Sequence, residues 1–215
     1  MRFMLGVDEA GRGPLAGPVA VGVVAVPEGF DVEKEFPGVA DSKKLSEKNR
    51  EKIFERLVAM AGGIVGDPGT TGSLRSPGYG AGVRFVVEFE SAATIDKEGI
   101  APSVRRALSR GVNALAPDAA LVTIKLDGAL RAPPEYAQET IINGDELVPL
   151  ISLASIAAKV TRDRLMVALS ARYPLYGFEK HKGYGTKEHY AMLEVHGPCA
   201  IHRRSFLHEK GNAAR

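Results

Sequence analysis

Short, dense apolar runs alternate along this chain with stretches in which apolar residues recur every three or four positions. Residues 3–7 (FMLGV) and 19–26 (VAVGVVAV) are rich in β-branched residues, which predicts two adjacent strands. Gly11, Gly13, Pro14, Gly17 and Pro18 between them predict a loop. Ser46 opens a cap-like sequence before KNREKIFERLVAMA, where Ile53, Leu57 and Met60 fall at helical spacing and Gly62-Gly63 ends the pattern. Residues 62–82 hold eight glycines and two prolines with little apolar to pack, and are expected to be loop throughout.

A strand resumes at residues 85–89 (FVVEF), and Val104, Leu108, Val112 and Leu115 then form a helical stripe that stops at Pro117. LVTIKL at 121–126 predicts a strand running into Asp127-Gly128, and a short strand at 140–142 runs into Gly144-Asp145. Pro149 suits an early helical position at the head of LISLASIAAKVTRDRLMVALSARY. After Pro174 short helical or irregular pieces are expected. This order predicts an α/β fold, a mixed sheet flanked by helices, with antiparallel neighbours early and a crossover later.

Composition narrows the class without naming a chemistry. With 215 residues, 45% hydrophobic and 25% charged, the chain fits one globular domain and neither a disordered nor a fibrous protein. A lone Cys199 cannot form an internal disulfide and suits a reducing compartment. The longest apolar run is far short of the roughly 20 residues that span a bilayer, so no membrane segment is expected. MRFMLGVDEAGRG interrupts its apolar start with two carboxylates, so no secretory signal is expected and the address is cytoplasmic.

Net charge is only +2, but its distribution is uneven. Residues 159–215 hold 11 Lys and Arg against 5 Asp and Glu, a balance of +6, and all five histidines. Residues 1–158 therefore carry −4. A basic region that attracts a polyanion, beside an acidic cluster that would repel it without cations, points to a nucleic acid and a metal.

The acids fall where strands end. Asp8 and Glu9 follow the first strand, Asp127 follows LVTIKL, and Asp145 follows the short strand at 140–142. A carboxylate at the margin of an apolar core needs a cation or hydrogen-bond donors. If neighbouring strands end at one sheet edge, the four converge, and an oxygen-only site suits Mg²⁺ or Mn²⁺ better than zinc. Consecutive strand residues face opposite sides, so Asp8 and Glu9 share a site only if the strand ends there. Gly11-Arg12-Gly13 beside them could present backbone N–H groups and a guanidinium to a phosphate or sugar.

On the long helix Ser155, Lys159 and Asp163 share one face, where a lysine and a hydroxyl are phosphate-contact material; the competing possibility is a simple Lys159–Asp163 pair. HKGYGT places Tyr184 between glycines, suited to stacking on a sugar or base or simply to packing. The histidines show no metal-ligand spacing, and neither a nucleophile elbow nor a GxxxxGK[ST] loop is present.

Taken together, GVDEAGRGPLAGPVAVGVV, DSKKLSEKNR, LDGAL, INGDELVPLISLASIAAKVTRDRLM, YPLYGFEKHKGYGTKEH and HGPCAIHRRSF resemble ribonuclease HII, the type 2 ribonuclease H of bacteria and archaea, from Val7 to Phe206. The resemblance implies an RNase H-like catalytic domain over residues 1–172, with a basic, substrate-binding helical extension at 173–215. It implies a monomeric endonuclease with Mg²⁺ or Mn²⁺ as cofactor. Its substrates would be RNA/DNA hybrids and duplex DNA containing single ribonucleotides, cut to leave a 3′-hydroxyl and a 5′-phosphate. Asp8, Glu9, Asp127 and Asp145 would be the catalytic, metal-binding acids. Gly11, Arg12 and Gly13 would read the 2′-hydroxyl and adjacent phosphate, and Tyr184 would lie against the sugar at the RNA-to-DNA junction. Ser42, Lys43, Ser155 and Lys159 complete the expected substrate contacts.

This chain departs from the family pattern at LDGA, commonly VDGN, and at Leu153 and Ala157 within the segment commonly ISAASILAK. The related ribonuclease HIII carries an added N-terminal domain, for which a motif beginning at residue 7 leaves no room. A nuclease for damaged DNA, or a non-catalytic nucleic-acid-binding module, are the other expectations compatible with these residues.

Overall fold

The computed structural model describes residues 1–39, 45–69, 72–77 and 82–207. The first two apolar runs pair as antiparallel strands β1 (Phe3–Ala10) and β2 (Val19–Pro27). A one-turn helix α1 (Val32–Glu35) follows, capped by Asp31, and then α2 (Glu47–Met60), where Ser46 Oγ accepts from Asn49 N–H at 3.2 Å as the sequence predicts. Next come β3 (Ser73–Arg75), β4 (Arg84–Glu90), α3 (Ala92–Glu98) and α4 (Ile100–Leu115). The chain continues through β5 (Val122–Asp127), β6 (Ala137–Ile141), α5 (Gly144–Leu147) and α6 (Pro149–Arg172), and closes with α7 (Phe178–His181) and α8 (Lys187–His196).

The six strands form one mixed sheet in the order β3-β4-β2-β1-β5-β6. β1, β5 and β6 run parallel, whereas β2, β3 and β4 pair antiparallel. One face packs on α2 and α6, burying Phe54, Phe85, Val87, Leu153 and Ala157. The other packs on α4 through Val7, Val23, Leu108, Val112, Ile124 and Leu126. The substitutions from family habit at Leu153 and Ala157 are thus core residues, each side chain contributing by apolar burial.

Close packing of α6 on the sheet depends on two glycines. A Cβ at Gly6 would lie 2.3 Å from Leu150 O, and one at Gly22 would lie 2.3 Å from Ala154 O. With no side chain at either position the helix backbone rests directly on β1 and β2, which brings Ser155 over the end of β1.

Three expectations need correction. Residues 62–82 are not all loop: Leu74 and its neighbours form β3 against β4, and Val65 bridges Arg75. Asp8, Glu9 and Asp127 lie within strands rather than just beyond them, because backbone pairing carries β1 to Ala10 and β5 to Asp127. Asp145 does not simply follow a strand: Asn143 adopts a left-handed conformation (φ 55°), which turns the chain from β6 into α5 and places Asp145 in that helix's first turn.

Candidate active site

At the carboxyl edge of the parallel strands the β1–β5 ladder stops at Val7↔Leu126, while β1 stays paired with β2 through Ala10↔Ala20. Residues 8–10 therefore have one free edge. This resolves the alternation problem posed by consecutive acids: β1 ends on its β5 side only, and both Asp8 and Glu9 reach the same cavity. That cavity, about 530 Å³, is also lined by Gly11, Asp127, Asp145, Ser155, Lys159 and Tyr184. All four acids line this one cavity.

Asp8 and Asp145 are almost wholly buried. Asp8 Oδ1 accepts from Glu9 N–H at 2.7 Å, and the Ser155 hydroxyl bonds the same carboxylate. Burial, and next the charge of Glu9, push the Asp8 carboxyl up to about 8. Burial also raises Glu9, against the opposing pull of Arg12, whose Nη1 lies 3.3 Å from Glu9 Oε1. Glu9 Oε2 is buried without a hydrogen-bond partner among the described residues. Asp127 Oδ1 accepts from Asp145 N–H at 3.3 Å, and the backbone carbonyl of Asp145 accepts from Ser152 Oγ.

The donor set fits a hard divalent cation. It contains carboxylate oxygens only, two of the acids are destabilised as anions, and one buried oxygen has no donor among the described residues. Among the described residues no three His, Cys, Asp or Glu side chains have the spacing of a formed metal site. The fit therefore rests on donor type and on the uncompensated Glu9 oxygen.

Lys159 forms the pair with Asp163 and at the same time faces the cavity. Its Nζ lies 3.0 Å from Asp163, and it also lines the cavity with its charge 5.5 Å from the Tyr184 ring centroid. Tyr184 is partly exposed, on a loop held by His189 Nδ1, which donates to Tyr184 O at 2.9 Å. Arg12 and Gly13 do not line the cavity and sit beside it through the Glu9 contact; a Cβ at Gly13 would meet nothing within 4 Å. Ser42 and Lys43 lie outside the described residues.

Arg50 was not anticipated. It lines the cavity from α2, and its Nη1 donates to Leu45 O. The available signal was its place four residues beyond the Ser46 cap, on the first turn of a predicted helix. Arg162 and Arg203, fully buried behind the Gly11–Arg12–Gly13 loop, were also missed.

A sequence model of the family described as Ribonuclease HII matches residues 5–209. The ribonuclease HII of Burkholderia thailandensis is 42% identical over 204 residues, covering 95% of this chain and 83% of the relative. Among solved structures, ribonuclease H2 from Pyrococcus horikoshii OT3 superposes with a TM-score of 0.62 at 26% identity, covering 94% of this chain and 93% of that one. A chain of the PCNA:RNase HII complex from Archaeoglobus fulgidus gives a TM-score of 0.69 at 22% identity, with 98% of each chain covered, and supports the fold alone.

Proposed function

The chain belongs to the ribonuclease HII family and is an endoribonuclease of RNA/DNA hybrids, and we propose that it also cuts 5′ of single ribonucleotides in duplex DNA, using Asp8, Glu9, Asp127 and Asp145 to hold Mg²⁺ or Mn²⁺. The observation that carries the site assignment is the meeting of these four acids in one cavity with Ser155, Lys159 and Tyr184. A bound divalent cation supplies an acidified water and relief of charge on the leaving oxygen.

The protein's own groups account for placement. Ser155 orients Asp8 by hydrogen bonding to its carboxylate, and Arg12 steadies Glu9. Lys159 offers a cation to the phosphate, and the exposed Tyr184 ring offers a face to the sugar. The Gly11–Arg12–Gly13 backbone is the proposed reader of the 2′-hydroxyl. A site built to hydrogen-bond that group leaves its own polar atoms unpaired on a deoxyribose, a penalty that can reach about 10⁴-fold in selectivity.

The test is incubation of the full chain, acting as a monomer, with a duplex carrying one ribonucleotide and either Mg²⁺ or Mn²⁺, reading the cut at nucleotide resolution. A single cut 5′ of the ribonucleotide, leaving a 3′-hydroxyl, is expected. Equal cutting of an all-DNA lesion duplex would point instead to a nuclease for damaged DNA.

A further inference from the structure

Among the described residues two arginines are wholly buried, and there neither hydrogen-bonds a carboxylate. Arg203 donates from Nε to Gly17 O at 2.9 Å, from Nη1 to Arg12 O at 2.8 Å and from Nη2 to Gly11 O at 2.7 Å. Arg162 donates from Nε to Pro18 O at 2.8 Å and from Nη2 to Ala16 O at 3.3 Å and Lys182 O at 3.1 Å. Its Nη1 makes no hydrogen bond among the described residues and lies 4.0 Å from Asp163 Oδ1. Burying two cations whose hydrogen bonds go to peptide carbonyls, with Asp163 and Asp96 only as more distant counter-charges, is costly, and apolar side chains would fill the space more cheaply. The carbonyls they bind belong to residues 11–18 and to Lys182, two residues before Tyr184.

The orientation of these bonds has a consequence for the loop. In a planar trans peptide the N–H points opposite to the C=O. Because Arg203 draws the carbonyls of Gly11 and Arg12 inward, the N–H groups of Arg12 and Gly13 point away from it. Among the described residues neither donates to a backbone carbonyl. Gly11 is required from the inside as well: at φ 87° a Cβ would lie 2.0 Å from Arg162 Nε. Arg203 is itself tethered, since Asp96 on α3 accepts from Arg204 N–H at 2.8 Å, Ser205 N–H at 3.0 Å and Ser205 Oγ at 2.6 Å.

We infer that Arg203 and Arg162 are positioning residues that set the Gly11–Arg12–Gly13 backbone, with its outward N–H pair, in the conformation that discriminates ribose from deoxyribose. The inference rests on the ribonucleotide reading proposed above. It assigns to these arginines a specificity role without contact to substrate.

The test compares wild type with Arg203→Lys, Arg162→Lys and Asp96→Asn, the last loosening the tether from the surface. Affinities for two duplexes of one sequence, with and without a single ribonucleotide, are measured by fluorescence anisotropy in EDTA, alongside melting temperature and circular dichroism. In the folded Arg203→Lys protein the preference for the ribonucleotide duplex is expected to fall about tenfold, with affinity for the all-DNA duplex unchanged, because misplacement of about 1 Å costs factors of this order or more. Asp96→Asn should shift the preference in the same direction. A wild-type preference retained by every folded variant, or a parallel loss of both affinities, overturns the inference alone. A wild type with no preference overturns the ribonucleotide reading and the inference with it.

Discussion

Asp8 is held in a place that disfavours its charge, and Glu9 has an oxygen with no donor among the described residues, so the pair is poorly stabilised as anions, which is what the proposed cation would relieve. Replacing either Asp8 or Asp127 by asparagine keeps the shape and removes one of the carboxylates proposed to hold the cation. Cleavage of a single-ribonucleotide duplex should fall by at least about 10³-fold, the order seen when a fixed charge-stabilising group is lost at a reaction centre. Binding of the uncut duplex should persist, since the basic groups are untouched; near-normal turnover by either variant would sink the metal assignment. These acids were legible in the sequence because each adjoins an apolar run, where a charge is conspicuous. Arg50 and Arg203 were not, because they act from a helix and from a C-terminal segment whose positions are decided by packing.

At the scale of elements, the seat of α6 on β1 and β2 can be tested at Gly22. Gly22→Ala should cost about 1–3 kcal/mol, as overpacking does, read as a lowered denaturation midpoint with unchanged slope. The C-terminal elements carry a pH dependence. Tyr184 O accepts from His189 Nδ1, which leaves His189 Nε2 to accept from His202 Nε2 at 3.0 Å, while His202 Nδ1 accepts from Cys199 N–H at 2.9 Å. A proton added at His202 Nδ1 would displace the Cys199 N–H and find only the weakly accepting Cys199 sulfur, 3.1 Å away. Burial, together with His189, His181 and Arg204 nearby, brings His202 down to about 4, and burial also lowers His189. The unfolded chain then takes up protons first, so stability present above pH 6.5 is lost as pH falls toward 4. His202→Phe should flatten the fall in melting temperature between pH 6.5 and 5; an unchanged slope would refute the assignment. The rings of Tyr176 and Phe178 already pack on His202, 4.9 and 5.6 Å away. The major strands and long helices were readable because their apolar periodicity is sustained. β3 and the one-turn helices α1 and α5 were not, since a few residues cannot establish a period and tertiary pairing decides them.

For the molecule as a whole, the division of charge between −4 and +6 places acids in the cavity and cations in the segment that begins with Lys159. If the basic part brings the phosphates in, affinity for a hybrid must fall with salt, roughly in proportion to the number of phosphates neutralised. Lys159 is the residue of that segment whose charge lines the cavity, and the proposed phosphate contact can be tested on it. Its partner Asp163 is one helical turn away, and an i,i+4 pair is worth only about 0.3–0.5 kcal/mol, so exchanging the carboxylate for a phosphate costs little. Lys159→Ala is therefore expected to reduce the slope of log affinity against log salt concentration by about one, uniformly across duplex sequences. If instead the lysine serves only Asp163, the slope will match wild type while the melting temperature falls. Titrations of the Asp8→Asn protein, in which cleavage is expected to be lost, with and without Lys159→Ala, at salt concentrations spanning a fourfold range separate these outcomes.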